Sequence, residues 1–227
     1  MLNLLEYFDD KKVIVNSIFV RPAKPVVITE QLPFSNITYD FSKITGEYNY
    51  YPANVYVKIT YGSNEEKSIY RKVISSVLSE LSSQDIIKIA IEEGNYYKGV
   101  YVGSTEIEDK GEMLGTTEIE FRCEPFKISE VKYGEELWDT FCFDTDVLGI
   151  DSYIDIKKND TIKIVNPGMY TDVLINVNPA LKTKVNGKEM TLNANENNTI
   201  RFKSGENIIQ VLEGSGSLNI NFYPCYL

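Results

Sequence analysis

The sequence predicts an all-β protein with one α-helix, and three observations predict it. Sixteen Tyr and ten Phe join many Val, Ile and Thr residues, the types that fit a pleated, half-buried surface. A strong helical stripe occurs in one segment alone, just after residue 62. From residue 153 onward, eight short strand-like stretches follow one another between turn residues, the spacing of a β-sandwich or jelly roll.

The elements follow in order. Residues 13–20 (VIVNSIFV) read as a strand, punctuated by Pro22 and Pro25. Residues 26–30 and 36–41 read as short strands. In 54–61 the residues Val55, Val57, Ile59 and Tyr61 point one way, and Asn54, Tyr56, Lys58 and Thr60 the other. Ser63 with Glu66 fits a capping box. Behind it Ile69, Val73, Ile74, Val77, Leu78 and Leu81 form one stripe at helical spacing, suited to packing on a sheet. Residues 86–92 and 96–104 form the next two runs, with a hairpin turn at Glu93-Gly94-Asn95. The acidic stretch 106–115 reads as an exposed loop. Residues 117–123 alternate again, with Ile119, Phe121 and Cys123 inward, and Pro125 stops the strand.

The pattern then weakens around Trp138, the single tryptophan. A junction near 126–130 divides the chain into an N-terminal domain, 1–128, and a C-terminal domain, 129–227. In the second domain the strands are 153–157, 161–165, 172–177, 183–185, 190–192, 199–203, 207–212 and 217–223. Asn166-Pro167-Gly168, Asn186-Gly187 and Gly214-Ser215-Gly216 mark turns between them.

Composition excludes several functions. The net charge is −10 over 227 residues. Thirteen basic and nineteen acidic residues through Phe126 give −6, and ten against fourteen after it give −4. Neither half offers the basic patch that nucleic-acid binding uses. The absence of histidine removes His-based triads, H-E-x-x-H zinc sites and the usual imidazole base. Cys123, Cys142 and Cys225 are widely spaced and odd in number, which reads as reduced thiols in a reducing compartment. The first fifteen residues carry Glu6, Asp9 and Asp10, where a signal peptide needs basic and then apolar residues. No run approaches the length of a transmembrane helix. Sequons at Asn36, Asn159 and Asn197 lack secretory context.

Candidate chemistry is sparse. The carboxylate pairs Glu92-Glu93, Glu135-Glu136 and Asp144/Asp146 suggest glycosidase groups only at first sight. Neighbours on a strand face opposite ways, so these acids read as solvated surface. Asp144, Asp146 and Asp151 resemble a calcium loop but lack its position-12 Glu. Neither a phosphate-binding nor a dinucleotide-binding glycine motif occurs. Tyr153, Tyr170, Tyr223 and Tyr226 offer sugar-stacking rings or ordinary strand tyrosines. No catalytic, cofactor or metal residue is assigned, and the chain reads as a non-enzyme.

Two segments carry a family likeness. One is the helix and its sequel, from Tyr70-Arg71 through the stripe and strands to Glu120-Phe121-Arg122-Cys123-Glu124-Pro125-Phe126. The other comprises Ile164-Val165-Asn166-Pro167-Gly168, the run from Phe202 to Ile209, and the aromatic ending Tyr223-Pro224-Cys225-Tyr226-Leu227. In this order they resemble the distal tail (tail-hub) proteins of siphoviruses and prophages. The resemblance covers about half the chain and is weakest over the first sixty residues.

The resemblance implies an N-terminal β-sandwich with one helix that assembles as a hexameric ring, and a galectin-like C-terminal β-sandwich at its periphery. It implies a virion protein at the distal end of the tail, made in the bacterial host cytoplasm. Its expected partners are the tail tube protein on one face and a tail-tip lysin or fibre protein on the other. DNA would pass through the channel without specific binding, and no membrane would be engaged. An acidic lumen would repel phosphates and let the strand slide. The loop bearing Glu106, Glu108, Asp109 and Glu112 against Lys110 is a candidate for that lining or for plain solvated surface. The rival reading is a carbohydrate-binding module for host-surface adhesion, with exposed aromatics on one concave sheet.

Overall fold

The computed structural model describes residues 1–44, 46–62, 67–110, 114–135 and 153–227, with the backbone alone for 67–70. Several sequence expectations therefore lie outside the described residues: Ser63 and Glu66, the Ile69 side chain, Glu112, Glu136, Trp138, Cys142, and the Asp144, Asp146 and Asp151 group. The chain divides into two units, Met1–Lys127 and Ile128–Leu227.

The first unit contains β1 (Leu2–Asn3), α1 (Leu4–Asp10), β2 (Ile14–Arg21), β3 (Thr29–Gln31), β4 (Thr38–Asp40), β5 (Ala53–Gly62), α2 (Lys67–Ser82), β6 (Ile87–Glu92), β7 (Asn95–Ser104), β8 (Glu108–Asp109) and β9 (Leu114–Cys123). One sheet runs in the order β1-β6-β7-β9-β5-β2, with β8 added beside β9. The β3–β4 pair forms a separate ribbon. Alternation in β5 puts Ala53, Val55, Val57 and Ile59 wholly inside, because successive side chains point to opposite faces. The register sets Val55 opposite Phe121 and Val57 opposite Ile119, so both strands feed one core. On α2, Ile74, Val77 and Leu81 are buried, as the stripe predicts. Val73 and Leu78 flank the same core.

One helix was expected, but the described residues contain two. The missed helix, α1, is only seven residues long, shorter than a peptide helix can sustain alone. Its Asn3 makes no side-chain cap bond. Asp9 and Asp10 stand at its C-terminal end, where the backbone dipole disfavours acids. Tertiary contacts override these signals. Leu4 and Phe8, one turn apart, are fully buried. Tyr7 Oη donates to Glu80 of α2 at 2.8 Å, and Lys11 Nζ reaches the other Glu80 oxygen at 3.0 Å. A second correction concerns 106–115, expected as a loop. Glu108 and Asp109 instead pair with Thr116 and Gly115, and the Thr117 hydroxyl donates to the Thr105 carbonyl at 2.8 Å.

β10 (Lys127–Ser129) spans the division. The second unit continues with β11 (Tyr153–Ile156), β12 (Thr161–Asn166), β13 (Thr171–Asn178), β14 (Leu181–Val185), β15 (Lys188–Leu192), β16 (Asn198–Phe202), β17 (Gly205–Glu213), β18 (Gly216–Asn221) and β19 (Cys225–Tyr226). Two four-stranded sheets result, in the orders β11-β18-β13-β16 and β12-β17-β14-β15. Inward residues of both sheets, among them Ile164, Ile175, Val211, Phe202 and Ile220, share one core. Tyr133 stacks on Phe222 at 4.6 Å, and its N–H donates to the Phe222 carbonyl. Ser129 N–H likewise meets Pro224 at 2.9 Å. The segment entering the unit is thus laced to its last residues.

The turns of this unit rest on asparagines. Asn186 and Gly187 hold φ of 47° and 89°, the left-handed pair a two-residue hairpin demands. Asn207 is fully buried and donates to the Lys203 and Gly205 carbonyls while accepting from Lys203 N–H. Its Oδ1 also accepts from Asn186 Nδ2 at 2.8 Å. Asn166, 1% exposed, donates to Met169 and Lys203 carbonyls and accepts from Gly168 N–H. A side chain at Gly168 would overlap the Cys225 carbonyl, so this glycine lets the C-terminal strand close in.

Candidate assembly surface

Among the described residues, no group of His, Cys, Asp and Glu could hold a metal ion, and no helix is long and apolar enough to cross a membrane. The candidate carboxylates among the described residues are ion-paired or face solvent. Glu92 pairs with Lys127 at 2.6 Å, Glu93 is exposed in a turn, and Glu135 pairs with Lys132 at 3.4 Å. Cys123 is buried, and burial pushes its thiol up to about 12, which leaves it protonated and unreactive. The four candidate tyrosines sit in different elements. Tyr153 is exposed on β11, Tyr170 lies half-buried with Arg201 5.0 Å over its ring, Tyr223 follows β18, and Tyr226 belongs to β19. In the acidic stretch, Glu106 and Glu108 are exposed, while Asp109 pairs with Arg71 at 2.7 Å.

The feature that stands out is apolar. The segment from Pro25 to Tyr50 folds out as a ribbon around β3 and β4. Its backbone is paired along its length: Pro25 bridges Tyr50, Val26 N–H donates to Asn49, Phe41 N–H to Ile28, and Tyr51 N–H to Lys24. Ser42 closes the base, accepting from Ile28 N–H and donating its own N–H to Asp40. The Ser42 hydroxyl first, and then this N–H bond, hold the Asp40 carboxyl below its usual range. Near the foot, Tyr50 packs edge-on against Phe126 at 5.1 Å.

The side chains tell the opposite story. Val27, Ile28, Leu32, Phe34, Ile37 and Ile44 are exposed, with Ile44 at 79% and Phe34 at full exposure. Tyr39 and Phe41 add a stacked aromatic pair 6.3 Å apart on the same ribbon. A two-stranded ribbon alone is marginal in water, and contiguous exposed apolar surface of this kind marks an interaction site. The tip adds strain. Phe34 holds φ of 62° in the Leu32–Ser35 turn, a conformation costly for a bulky residue. A depression of about 440 Å³ beside it is lined by residues 31–36, none of them titratable.

A second exposed apolar strip lies on β2, the edge strand of the sheet. Ile14 and Phe19 are 65% and 60% exposed. Phe19 packs on Tyr56 at 6.2 Å, and Arg21 lies 5.6 Å over the Tyr56 ring. The shift in pairing between Val15 and Ser17 bends this edge, a device that blunts indiscriminate strand addition. Sequence reasoning located both ribbon strands but missed their exposure. The available signal was VVITE and NITYDF flanking a Leu-Pro-Phe-Ser turn, apolar on both faces in a segment too short to bury either.

No protein-family model matches the sequence, and no curated protein matches it. Among solved structures it is similar to the Dit protein (gp 19.1) of phage SPP1, with a TM-score of 0.63 over 95% of this chain and 94% of that one, at 12% identity. The crystal structure of that protein is described as a paradigm of the hub adsorption apparatus in phages infecting Gram-positive bacteria. At so low an identity the likeness lies in the fold, and the match spans both units. The chain shares the fold of that hub protein across both units.

Proposed function

We propose that this chain is a structural subunit of a phage tail hub, carried at the distal end of the tail. The observation that carries this reading is the likeness to a hub protein over 95% of the chain. The first unit forms the ring and the second unit sits on its periphery. Six subunits close the ring, which joins the tail tube on one face to the lysin or fibre protein of the tip on the other. A closed ring needs heterologous contacts, in which one patch meets a different patch. The ribbon and the β2 edge are two such unlike patches on one unit. Burying the ribbon's apolar residues on a neighbour would supply the hydrophobic drive that assembly needs.

The charge fits a conduit. Six copies of a chain at −10 carry −60, and acids facing a channel repel a phosphate backbone. Glu106 and Glu108 are the exposed candidates for such a lining. The protein works by assembly and performs no catalysis. Electron microscopy of the purified protein, alone and with its neighbouring tail proteins, tests the reading. Closed sixfold rings are the expected result. A lone monomer or a twofold dimer under all these conditions would overturn it.

A further inference from the structure

The two faces of the ribbon are unlike, and the difference says what covers it. Residues directly opposite on paired strands share a face. The register sets Thr29 opposite Asp40, Glu30 opposite Tyr39 and Gln31 opposite Thr38. The bonds from Phe41 N–H to the Ile28 carbonyl and from Leu32 N–H to the Ile37 carbonyl carry that register one step further at each end. Period-two alternation then puts Ile28, Leu32, Ile37, Tyr39 and Phe41 on one face, with Glu30 in their midst. The other face holds Val27 with Thr29, Gln31, Thr38 and Asp40. The eight exposed apolar and aromatic side chains of the ribbon leave roughly 900 Å² open, close to the about 800 Å² that one partner contributes to a stable protein interface. A carboxylate inside such a face is costly to bury unless a cation meets it. Glu30 is exposed, so the covering surface has to bring an apolar contact and a base together.

The same unit holds such a surface. β3 and β4 carry Glu30 and Asp40 and no base, while β2 and β5 carry Arg21 and Lys58 and no acid. Phe19 and Arg21 stand two residues apart on β2, on the face that β5 continues with Tyr56, and both are exposed. Of the acids on the adjoining β9, Glu118 lies opposite Lys58, and Glu120 already accepts from the Tyr56 hydroxyl and the Asn54 amide at 3.1 Å. We propose that the apolar face of the ribbon docks on the Phe19–Arg21 strip of the next copy of this chain, with Glu30 paired to Arg21. The contact rests on the ring reading above and names the two surfaces that meet in it. Alternate residues on one face of a strand stand about 7 Å apart, so Glu30 over Arg21 brings Ile28 or Leu32 over Phe19. The guanidinium fork suits a carboxylate at such an interface. Side chains make the contact, so the bend between Val15 and Ser17 does not oppose it. A ribbon laid on another ribbon would set the acids of one against the same acids of the other, and like charges across an interface are costly. An unlike pair of patches is also what closes a ring.

The test uses the full chain, with self-association read by analytical ultracentrifugation and the assemblies imaged by electron microscopy. Glu30→Arg and Arg21→Glu should each raise the concentration for half-assembly at least tenfold. Their melting temperatures should stay near that of the wild type, since both side chains are exposed. An equimolar mixture of the two variants should assemble again, because each ribbon then meets the opposite charge on its neighbour and the two kinds of subunit alternate. The double variant, with both changes in one chain, should assemble by itself. Thr38→Arg, on the other face of the ribbon, should leave assembly within twofold of the wild type. Rings from the wild type together with unimpaired assembly of both single variants, or no recovery in the mixture, would overturn this contact and leave the ring standing. Twofold dimers held through the ribbon would overturn it in favour of a ribbon-to-ribbon contact. A wild-type chain that stays monomeric, alone and with its neighbouring tail proteins, would overturn the ring and this contact together.

Discussion

The two units solve the same problem, covering a sheet, in opposite ways. In the second, one four-stranded sheet closes on another, and the core includes both inner faces. In the first, α1 and α2 contribute to the core of a single large sheet, and a ribbon of apolar side chains is left outside. The asymmetry shows in the surface. Among the described residues, seventeen exposed large hydrophobics lie before residue 128 and seven after it, and eight of the seventeen belong to the ribbon. The first unit therefore carries the larger exposed apolar surface, of the kind that marks an interaction site.

Charging the ribbon should break that comparison most sharply. The double substitution Phe34→Asp with Ile44→Asp places two charges where an apolar partner is expected. Assembly should be abolished, as read by light scattering. The melting temperature of the monomer should barely change, because neither residue is buried in it. Intact rings from this variant would show that the ribbon is not the contact. A collapse in stability would show that it belongs to the monomer's own core.

The next largest effect concerns the core of the first unit. Val77 is 1% exposed beneath α2, and an unpaired charge there costs several kcal/mol. Val77→Asp should therefore unfold the first unit. Ser76→Asp, on the exposed side, should cost at most about 0.5 kcal/mol. Its small penalty has a visible source: the Ser76 hydroxyl lies 3.3 Å from a Glu80 oxygen, so a carboxylate there repels another. Equal tolerance of both changes, measured by circular dichroism on heating, would remove the stripe from the core.

How much of this was legible in the sequence follows the same division. The eight strands of the sandwich lie where period-two alternation and turn residues put them. The asparagines singled out in the turns, Asn166 and Asn186, prove to be hydrogen-bonded there, and Asn207, read as the start of a strand, lies in β17 and ties down the turn before it. Local chemistry specifies such turns, so a single sequence reveals them. The first unit was harder to read. Helix α1 violates the helix signals at both ends and exists through burial of Leu4 and Phe8, a fact of tertiary structure. Strand β8 contains two acidic residues, Glu108 and Asp109, and follows from its register with β9. The ribbon was readable as two strands, yet apolar alternation does not say whether its partner is the same chain or another.

Asparagine loss gives a smaller effect, confined to the second unit. Asn207→Ala would leave Lys203 and Gly205 backbone groups without their buried side-chain partner. The cost should be about 2–3 kcal/mol, and for a domain of this size a fall of roughly 10 °C in its melting temperature. Calorimetry should show that transition moving while the transition of the first unit stays put. A shift of both together would mean that the units unfold as one body.

The smallest effect is a pH dependence of the first unit, centred on Glu80. The Tyr7 hydroxyl and then the Lys11 ammonium hold the Glu80 carboxyl below its usual value of 4.5. The folded state therefore keeps Glu80 ionised at pH values where the unfolded chain has taken up a proton. The stabilisation is present above the unfolded value and is lost as pH falls through the folded one. Tyr7 behaves conversely. Burial first, then the Glu80 bond, raises its hydroxyl well above the ordinary 10.0, so its contribution persists into alkali and fades only far above neutrality. Melting temperature measured between pH 3 and 7 should drop at the acid end in the wild type. Glu80→Gln should be less stable at neutrality and show a shallower acid limb. Tyr7→Phe should do the same in part, because it removes the larger of the two bonds. An acid limb unchanged in Glu80→Gln would mean that α1 is held by Leu4 and Phe8 alone.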